Sequence, residues 1–422
     1  MKLSRRVFLS GLGAGIGAAK LNLTLADMAA YKGSSLEPPP ILVNVFLRGG
    51  MDGLSFMPPR EGDNYTHYET LRPDLRITPD DSLNVGGGFG LHPECDGLRR
   101  LWGTGNLGLV HAVGHPEGAR SRSHFDSMQY IELGTPGDLN TDTGWLTRHL
   151  QTAPNLPGVS VLETLVSGGT PPTSLLGRLN NVATIGSTSS FHPNSGTFED
   201  THLLALEQLY SGAGTLDQAV GATVDAVQLI SSLDLSNYTP GGGVVYPNGS
   251  FGDDLATVAQ LIREDLGVAI ATVDFGGWDD HTSLAGNFSN RVRTLSDGLE
   301  AFYKDLRATG YGEKVIVVVQ TEFGRRAREN ADNGVDHGSG APMAIIGGAR
   351  VKRRRHGTFP GLSGSDLLDG QDVFPTTDYR RVLSDVVSDM LGNPNVDIVF
   401  PGFDYTPMGI FWPDQIFESG FD

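Results

Sequence analysis

Short apolar runs alternate along the chain with longer segments in which apolar residues lie three and four positions apart. The short runs predict buried strands, and the longer segments predict amphipathic helices. Strands are expected at residues 41–47, 106–114, 268–273, 315–319 and 343–348, and helices at residues 123–133, 201–233, 252–265, 288–308 and 379–391. Strands that alternate with helices favour an α/β fold, with a doubly wound, mostly parallel sheet and helices on both of its faces.

Residues 41–422 are expected to form a single α/β domain, because no internal repeat divides them. Residues 152–200 are rich in Gly, Pro, Ser, Thr and Asn, which is typical of loops and short strands. The segment at about residues 152–250 is therefore interpreted as an elaboration on the domain. A chain of this length can bury a large core without disulfides.

Residues 1–40 have the composition of an export signal and a linker. Residues 4–9 (SRRVFL) match a twin-arginine motif, and a mildly apolar stretch rich in small residues follows as far as Ala30. The expected signal peptide covers residues 1–30, and a linker covers residues 31–40. Export to the periplasm or beyond would make the twin-arginine translocase a transient partner. Lys20 interrupts the apolar stretch, so no stable transmembrane anchor is expected.

The chain is strongly acidic, with 49 acidic and 31 basic side chains and a net charge of −18. A nucleic-acid partner would need a basic surface, so none is expected. Cys95 is the only cysteine, which excludes an internal disulfide and suits folding in a reducing cytoplasm before export. Residues 13–18 (GAGIGA) resemble a dinucleotide fingerprint but have no strand before them, so no nucleotide cofactor is expected.

Polar side chains that can bind a metal ion lie at the ends of the predicted strands. They are Asp52, Asp279, His281, Glu322 and His337. Because the carboxyl ends of parallel strands share one edge of a sheet, these side chains are expected to converge. Imidazole and carboxylate ligands favour Zn²⁺, with Mn²⁺, Mg²⁺ and Ca²⁺ as alternatives.

A nucleophile is expected in residues 120–126 (RSRSHFD), just before a predicted helix. Free N–H groups at a helix N-terminus stabilise an anion, and Arg122 could hold phosphate or sulfate oxygens. Ser121 or Ser123 could attack an ester. The alternative is that Ser123 only caps the helix.

Seven motifs, in order along the chain, resemble those of one known family. They are residues 48–53 (RGGMDG), 121–125 (SRSHF), 276–281 (GGWDDH), 321–325 (TEFGR), 336–338 (DHG), 377–380 (TDYR) and 399–403 (VFPGF). The mature chain thus resembles the twin-arginine-exported domain-of-unknown-function family 1501, which is grouped with the alkaline phosphatase-like superfamily that includes sulfatases. The resemblance implies an alkaline phosphatase-like fold and export from the cytoplasm. It implies no particular reaction, because the family has no settled activity.

The superfamily resemblance also implies roles for individual residues. Asp52 matches its first-strand aspartate, Ser121 or Ser123 its nucleophile, Asp279 and His281 a metal-binding pair, and His337 its late histidine. Phe323 stands after Glu322, where the superfamily has a second metal-binding histidine. His124 is expected among the catalytic residues and is also the candidate substitute for that missing ligand.

These features lead to two functional hypotheses. In the first, the chain is an exported metal-dependent hydrolase of phosphate or sulfate esters, and so acts on a small anionic substrate. Asp279, His281 and His337 would hold one ion, while Asp52 and Glu322 would hold a second ion or orient the first. In the alternative, the chain is a non-catalytic secreted binding or assembly protein that keeps the fold.

Overall fold

A computed structural model describes residues 40–156, 162–177, 182–186, 199–212 and 238–413, with the single residues 214, 217, 220 and 224. The predicted signal peptide lies outside the described residues, as do the linker up to residue 39 and most of the predicted helix beyond residue 212. No helix in the described part of the chain is both long enough and apolar enough to cross a lipid bilayer.

Within the described residues, a sheet of nine strands forms the centre of the molecule, and two further strands form a separate hairpin. The strands are β1 (Ile41–Leu47), β2 (Leu83–Gly86), β3 (Phe89–Leu91), β4 (Leu107–Gly114), β5 (Thr164–Ser167), β6 (Val182–Ile185), β7 (Ile270–Phe275), β8 (Val315–Gln320), β9 (Ala341–Ile346), β10 (Arg355–His356) and β11 (Thr377–Asp378). The central order is β10-β4-β9-β8-β1-β7-β5-β6, and β11 also pairs with β4. Within this sheet β9 runs antiparallel to β4 and β8, and the other described pairs are parallel.

Helices cover both faces of the sheet. They are α1 (Gly53–Phe56), α2 (Gly62–Leu71), α3 (Asp96–Gly103), α4 (His124–Leu133), α5 (Trp145–Thr152), α6 (Glu199–Leu209), α7 (Ser250–Arg263), α8 (Leu284–Ala308), α9 (Tyr379–Asp385) and α10 (Val396–Val399). Alternate residues of β1 enter different cores, since Val43 and Val45 pack with α3, α7 and α8. Leu42 and Phe46 instead pack with α5, α9 and α10. The predicted α/β class is therefore confirmed.

Most predicted elements have close counterparts in the structure. Strand β1 and helix α4 have the expected bounds, and α4 begins where the Ser123 side chain accepts a hydrogen bond from the Asp126 amide. The predicted helix at 379–391 is two elements, because α9 passes into a π-helical turn at Val386–Met390. Within the segment 152–250, strands β5 and β6 extend the sheet beyond β7.

The loops that follow β1, β4, β7 and β8 leave the sheet at one edge, because these strands are parallel. Strand β9 runs the other way, so the loop that precedes it reaches the same edge. Residues 48–53, 115–124, 276–281, 321–326 and 336–340 are thus neighbours in space. All five segments carry candidate side chains.

Candidate metal centre

Three imidazoles and one carboxylate converge at this edge of the sheet. Nε2 of His337 lies 3.0 Å from Nε2 of His124 and 2.9 Å from Nε2 of His281. Oδ1 of Asp279 lies 3.1 Å from Nε2 of His281, 3.2 Å from that of His337 and 3.4 Å from that of His124. We call these four residues the His-Asp cluster. Its four donor atoms face one another.

Each imidazole of the cluster has a second partner at its other nitrogen. Nδ1 of His124 lies 2.6 Å from Oε1 of Glu322, and Nδ1 of His281 lies 3.2 Å from Oδ1 of Asp336. Nδ1 of His337 donates to the Arg122 carbonyl at 2.7 Å. A neutral imidazole that donates from Nδ1 carries a lone pair on Nε2. The outer partners therefore direct the Nε2 lone pairs into the cluster.

The carboxylates of the site are held in their ionised form. Burial by itself raises the pKa of Asp279, but the hydrogen bond and charge of Arg325 lower it to about 2. Burial also raises the pKa of Glu322, yet hydrogen bonds from His124, backbone amides and Thr321 bring it below its usual value. The hydrogen bond to Glu322 raises the pKa of His124, against the effect of burial. Negative charge is thus available on both carboxylates at neutral pH.

Arg325 holds the loops of this edge together. Its side chain is fully buried, and its Nε donates to the Gly50 carbonyl at 2.6 Å. Nη1 donates to the Val335 carbonyl at 3.1 Å. Nη2 donates to Oδ1 of Asp279 at 2.6 Å and also contacts the carbonyls of Gly49 and Trp278. One guanidinium therefore joins the loops after β1, after β7 and before β9.

The loop after β1 needs glycine at the point where it meets this guanidinium. Gly50 has a φ of +62°, and a Cβ there would lie 2.5 Å from the ring of Phe323 and 3.3 Å from Nε of Arg325. Any side chain would therefore be strained by its backbone and would also push the ring and the guanidinium away. The close approach of the backbone is what lets Arg325 reach the Gly50 carbonyl.

Two of the predicted ligands are placed beside the cluster rather than in it. Glu322 lies behind His124, where its Oε1 also accepts from the Gly49 amide at 2.9 Å. Asp52 is 2% exposed and pairs through both oxygens with the fully buried Arg72, with Nη2 of Arg72 2.8 Å from Oδ1. Its Oδ2 accepts from the Ser55 amide at 3.1 Å. The oxygens of Asp52 are thus occupied by its own surroundings.

Residues 120–123 of the predicted nucleophile segment lie directly before His124. They contact the cluster through the backbone carbonyl of Arg122. Oγ of Ser121 donates to Oδ2 of Asp126 at 3.2 Å, whereas Oγ of Ser123 accepts from the Asp126 amide as the helix cap. The guanidinium of Arg122 donates to Oδ2 of Asp372 at 2.7 Å. The Arg122 side chain is therefore paired, although it is 41% exposed.

Four contributors were missed or given another role from sequence. His124 was expected beside the nucleophile or as a substitute ligand, and the structure places it in the cluster. Asp336 could have been suspected, since it directly precedes His337. Arg325 and Asp372 carry no local signal, because their roles depend on loops that come together only in the fold.

The fold and this cluster define an α/β protein with a candidate metal centre at the carboxyl edge of its sheet. The family model described as "Protein of unknown function (DUF1501)" matches residues 119–386, which is more than half of the chain. The chain belongs to this family. The matched range includes the whole His-Asp cluster. No curated protein matches the chain.

Several solved structures align with the chain at low identity. Ps i-CgsB in complex with k-i-k-neocarrahexaose is 11% identical, with a TM-score of 0.36 over 88% of this chain and 75% of that one. Alkaline phosphatase from the Antarctic bacterium TAB5 is 10% identical, with a TM-score of 0.30 over 74% and 92%. The lipoteichoic acid synthase LtaP from Listeria monocytogenes is 9% identical, with a TM-score of 0.32 over 92% and 82%. Likeness at this level carries no conclusion about chemistry.

Replacement of Arg325 by Met should lower the free energy of unfolding by about 3–5 kcal/mol, because it leaves Asp279 and several loop carbonyls without their buried donor. Denaturant unfolding monitored by fluorescence measures the loss. Arg326→Met is the matched control, since Arg326 is 36% exposed and its ion pair with Asp336 spans 3.7 Å. That control should cost less than about 1 kcal/mol. Equal losses in the two variants would contradict the role given to Arg325.

Proposed function

We propose that this chain binds one divalent metal ion through His124, His281, His337 and Asp279, and that the ion serves the hydrolysis of a phosphate or sulfate ester. The observation that carries the proposal is that Nε2 of His337 lies 2.9–3.0 Å from Nε2 of His281 and of His124, while Oδ1 of Asp279 lies 3.1–3.4 Å from all three Nε2 atoms. The other hydrogen bonds of these side chains decide whether the residues fit a metal.

The three Nε2 atoms have no proton to share when all three rings are neutral. Each ring is neutral when Nδ1 carries the proton that it donates to Glu322, Asp336 or the Arg122 carbonyl. In that form the His337 lone pair lies 3.0 Å from Nε2 of His124 and 2.9 Å from Nε2 of His281 with no proton between them, which is repulsive. Either a metal ion among these atoms or a proton on His124, whose pKa is raised by Glu322, relieves the repulsion. Metal–ligand bonds of about 2.0–2.1 Å in a tetrahedron place ligand atoms about 3.3 Å apart. The separations that involve His337 or Asp279, at 2.9–3.4 Å, are close to this value.

The donor set favours Zn²⁺. Three imidazole nitrogens and one carboxylate oxygen suit a borderline ion, whereas Mg²⁺ and Ca²⁺ prefer a shell made of oxygen. Mn²⁺ remains an alternative because it accepts both kinds of ligand. The partners at each Nδ1 correspond to the outer carboxylates and carbonyls that usually orient metal-binding histidines.

The residues around the cluster can support attack on an anionic ester. When bound, the ion would act as a Lewis acid on the ester oxygens. Ser121 is the better nucleophile of the two serines, because its Oγ already donates to the Asp126 carboxylate. Attack by Oγ on phosphorus or sulfur would pass the hydroxyl proton to Asp126 and break the bond to the alcohol oxygen, which would take a proton from solvent as it leaves. Water would then hydrolyse the seryl ester, releasing phosphate or sulfate and restoring the Ser121 hydroxyl.

Positive charge and solvent access are both present for such a substrate. The side chains of Asp279 and His281 are 47% and 42% exposed, so the cluster faces solvent. Arg120 and Arg122 flank Ser121, and the Arg120 guanidinium lies 4.9 Å from the centre of the Phe374 ring. Guanidinium groups recognise phosphate and sulfate oxygens by charge-assisted hydrogen bonds.

A second function is favoured by the number of protein ligands. Structural zinc sites use four protein ligands, whereas catalytic sites usually leave one position to water or substrate. The cluster offers four, and the Phe323 ring packs 4.8 Å from His124 and 5.0 Å from His337. The alternative is therefore a secreted binding or assembly protein in which the ion only holds the loops together.

We also propose that the chain is exported through the twin-arginine pathway to the periplasm or beyond. The support is residues 4–9 (SRRVFL) and the apolar stretch that follows them. Because this pathway carries folded proteins, the metal would be bound before export.

A measurement of metal content in the purified protein tests the proposed metal centre. Protein purified after expression with its own signal should contain about one equivalent of a divalent metal by mass spectrometry, with Zn²⁺ first among candidates. The double variant Asp279→Ala/His281→Ala should contain none. Glu94→Gln is the control, because its ion pair with Arg293 is partly exposed and Glu94 has no contact with the cluster, and this variant should keep its metal. Wild-type protein that holds no divalent metal after reconstitution would contradict the proposal.

An assay of ester hydrolysis distinguishes the hydrolase from the binding or assembly protein. Metal-loaded protein should hydrolyse an aryl phosphate or aryl sulfate, and Ser121→Ala should lower kcat by at least about 100-fold by removing the nucleophile. Ser123→Ala should mainly reduce stability, by about 1 kcal/mol, through loss of the helix cap. A metal-loaded protein that cleaves no ester from a broad phosphate and sulfate panel would favour the binding function.

Replacement of both Arg5 and Arg6 by Lys should abolish export, because the paired guanidinium groups define the signal. Cell fractionation of a bacterium that has the twin-arginine pathway measures the exported fraction. The matched control replaces Lys2 by Arg, which leaves the pair intact. Export of the Lys-Lys variant at the wild-type level would argue for another route.

A further inference from the structure

A fully buried carboxylate lies outside the His-Asp cluster and has no part in the chemistry described above. Asp372 has no exposed surface. Its Oδ2 accepts hydrogen bonds from Nη2 of Arg122 at 2.7 Å, from Nε of Arg122 at 3.1 Å and from Oγ of Ser339 at 2.9 Å. Its Oδ1 has no hydrogen-bond partner among the described residues.

The two partners of Asp372 hold His337 from two sides. Arg122 supplies the backbone carbonyl that accepts from Nδ1 of His337 at 2.7 Å. Ser339 follows His337 by two residues and belongs to the same loop. Next to Asp372, the Val373 carbonyl accepts from the Gly340 amide at 2.9 Å. One carboxylate thus joins the loop that carries the imidazole to the loop that carries its acceptor.

We propose that Asp372 is the positioning residue for His337, and that through Arg122 and Ser339 it fixes the ring orientation and the tautomer of that imidazole. His124 and His281 contact a carboxylate directly, at Glu322 and Asp336. Asp372 does not contact the His337 ring, and acts on it through Arg122 and Ser339. The effect on metal binding rests on the proposed metal centre, whereas the effect on the tautomer does not.

The energetics favour a positioning role over a purely stabilising one. Breaking a buried ion pair destabilises a protein strongly, but the pair as a whole often contributes little compared with apolar residues of similar volume. Asp372 is fully buried and uses one oxygen for all three side-chain contacts. What this arrangement does provide is a fixed distance between two loops. That distance sets where the Arg122 carbonyl meets His337.

The pair also restricts what Arg122 can do. Nε and one N–H of Nη2 already donate to Asp372, so an incoming anion would have to use Nη1 or the second N–H of Nη2 to leave the pair intact. The contribution of Arg122 to the site is therefore first a structural one, made through its backbone carbonyl. This accounts for a well-paired arginine that stands on a half-exposed loop.

The first test is the isosteric change Asp372→Asn, made in the full chain. In the metal-free protein, ¹⁵N NMR of the histidine side chains should show His337 protonated at Nδ1 in the wild type and a mixture of tautomers in the variant. The His337 signals are assigned with His337→Gln. In competition with a chromophoric chelator, the variant should bind Zn²⁺ about 10- to 100-fold more weakly than the wild type.

Asp305→Asn is the matched control. Asp305 is also fully buried, and it accepts from the Gly241 amide at 2.6 Å and from Tyr246 at 2.8 Å, with no contact to the cluster. It should leave both the His337 tautomer and the Zn²⁺ affinity unchanged. A loss of affinity in Asp305→Asn equal to that in Asp372→Asn would show general destabilisation and would overturn the proposal.

A double-variant cycle completes the test. Arg122→Ala alone, Asp372→Asn alone and both together should weaken Zn²⁺ binding by similar factors, because each change breaks the same tie. If Asp372→Asn fails to fold, Ser339→Ala and Arg122→Ala report on the two halves of the tie instead. An unchanged tautomer and affinity in these variants would overturn the proposal. If the wild type binds no metal, the metal centre fails, while the tautomer still decides the role of Asp372.

Discussion

The guanidinium of Arg325 is the constraint on which the arrangement of this site depends. Loops have little apolar surface to bury, so their relative positions need some other source of order. Here one buried cation contacts backbone carbonyls from three loops and the carboxylate of Asp279. Because a planar guanidinium donates in fixed directions, it specifies distances and angles as well as supplying charge. The glycines of residues 48–53 allow the backbone to come close enough for these contacts.

Apart from the contacts of Arg325, the site consists of pairs in which a carboxylate or a backbone carbonyl orients a histidine. Glu322, Asp336 and the Arg122 carbonyl contact the three imidazoles; Glu322 and Asp336 lie near the two ends of the β8–β9 connection, and Arg122 lies in the loop after β4. The positions of the imidazoles are therefore set twice, by the backbone that carries each ring and by the partner at its Nδ1. Such double control is what precise metal sites generally require.

The sequence predicted the strand ends well and the individual roles less well. Asp279, His281 and His337 could be grouped because each lies beside a predicted strand, and parallel strands share an edge. Asp52 has the same local pattern as Asp279, but Arg72 binds it, and no periodicity reveals a partner twenty residues away. His124 begins a helix, so the strand-end rule could not place its ring among the others. Asp372 follows no strand and shows no motif, because its role exists only once two loops have met.

Because β9 is antiparallel to β8, much of the site lies on one continuous stretch of chain. Strands β8 and β9 are neighbours joined by residues 321–340, which leave the sheet and re-enter it at the same edge. This single stretch carries Glu322, Arg325, Asp336 and His337, so half of the site is encoded by one uninterrupted hairpin connection. Because residues 321–340 are contiguous, one recombination event could replace all of them together. Such an event would change His337, its neighbours and Arg325 while the surrounding parallel strands stayed the same.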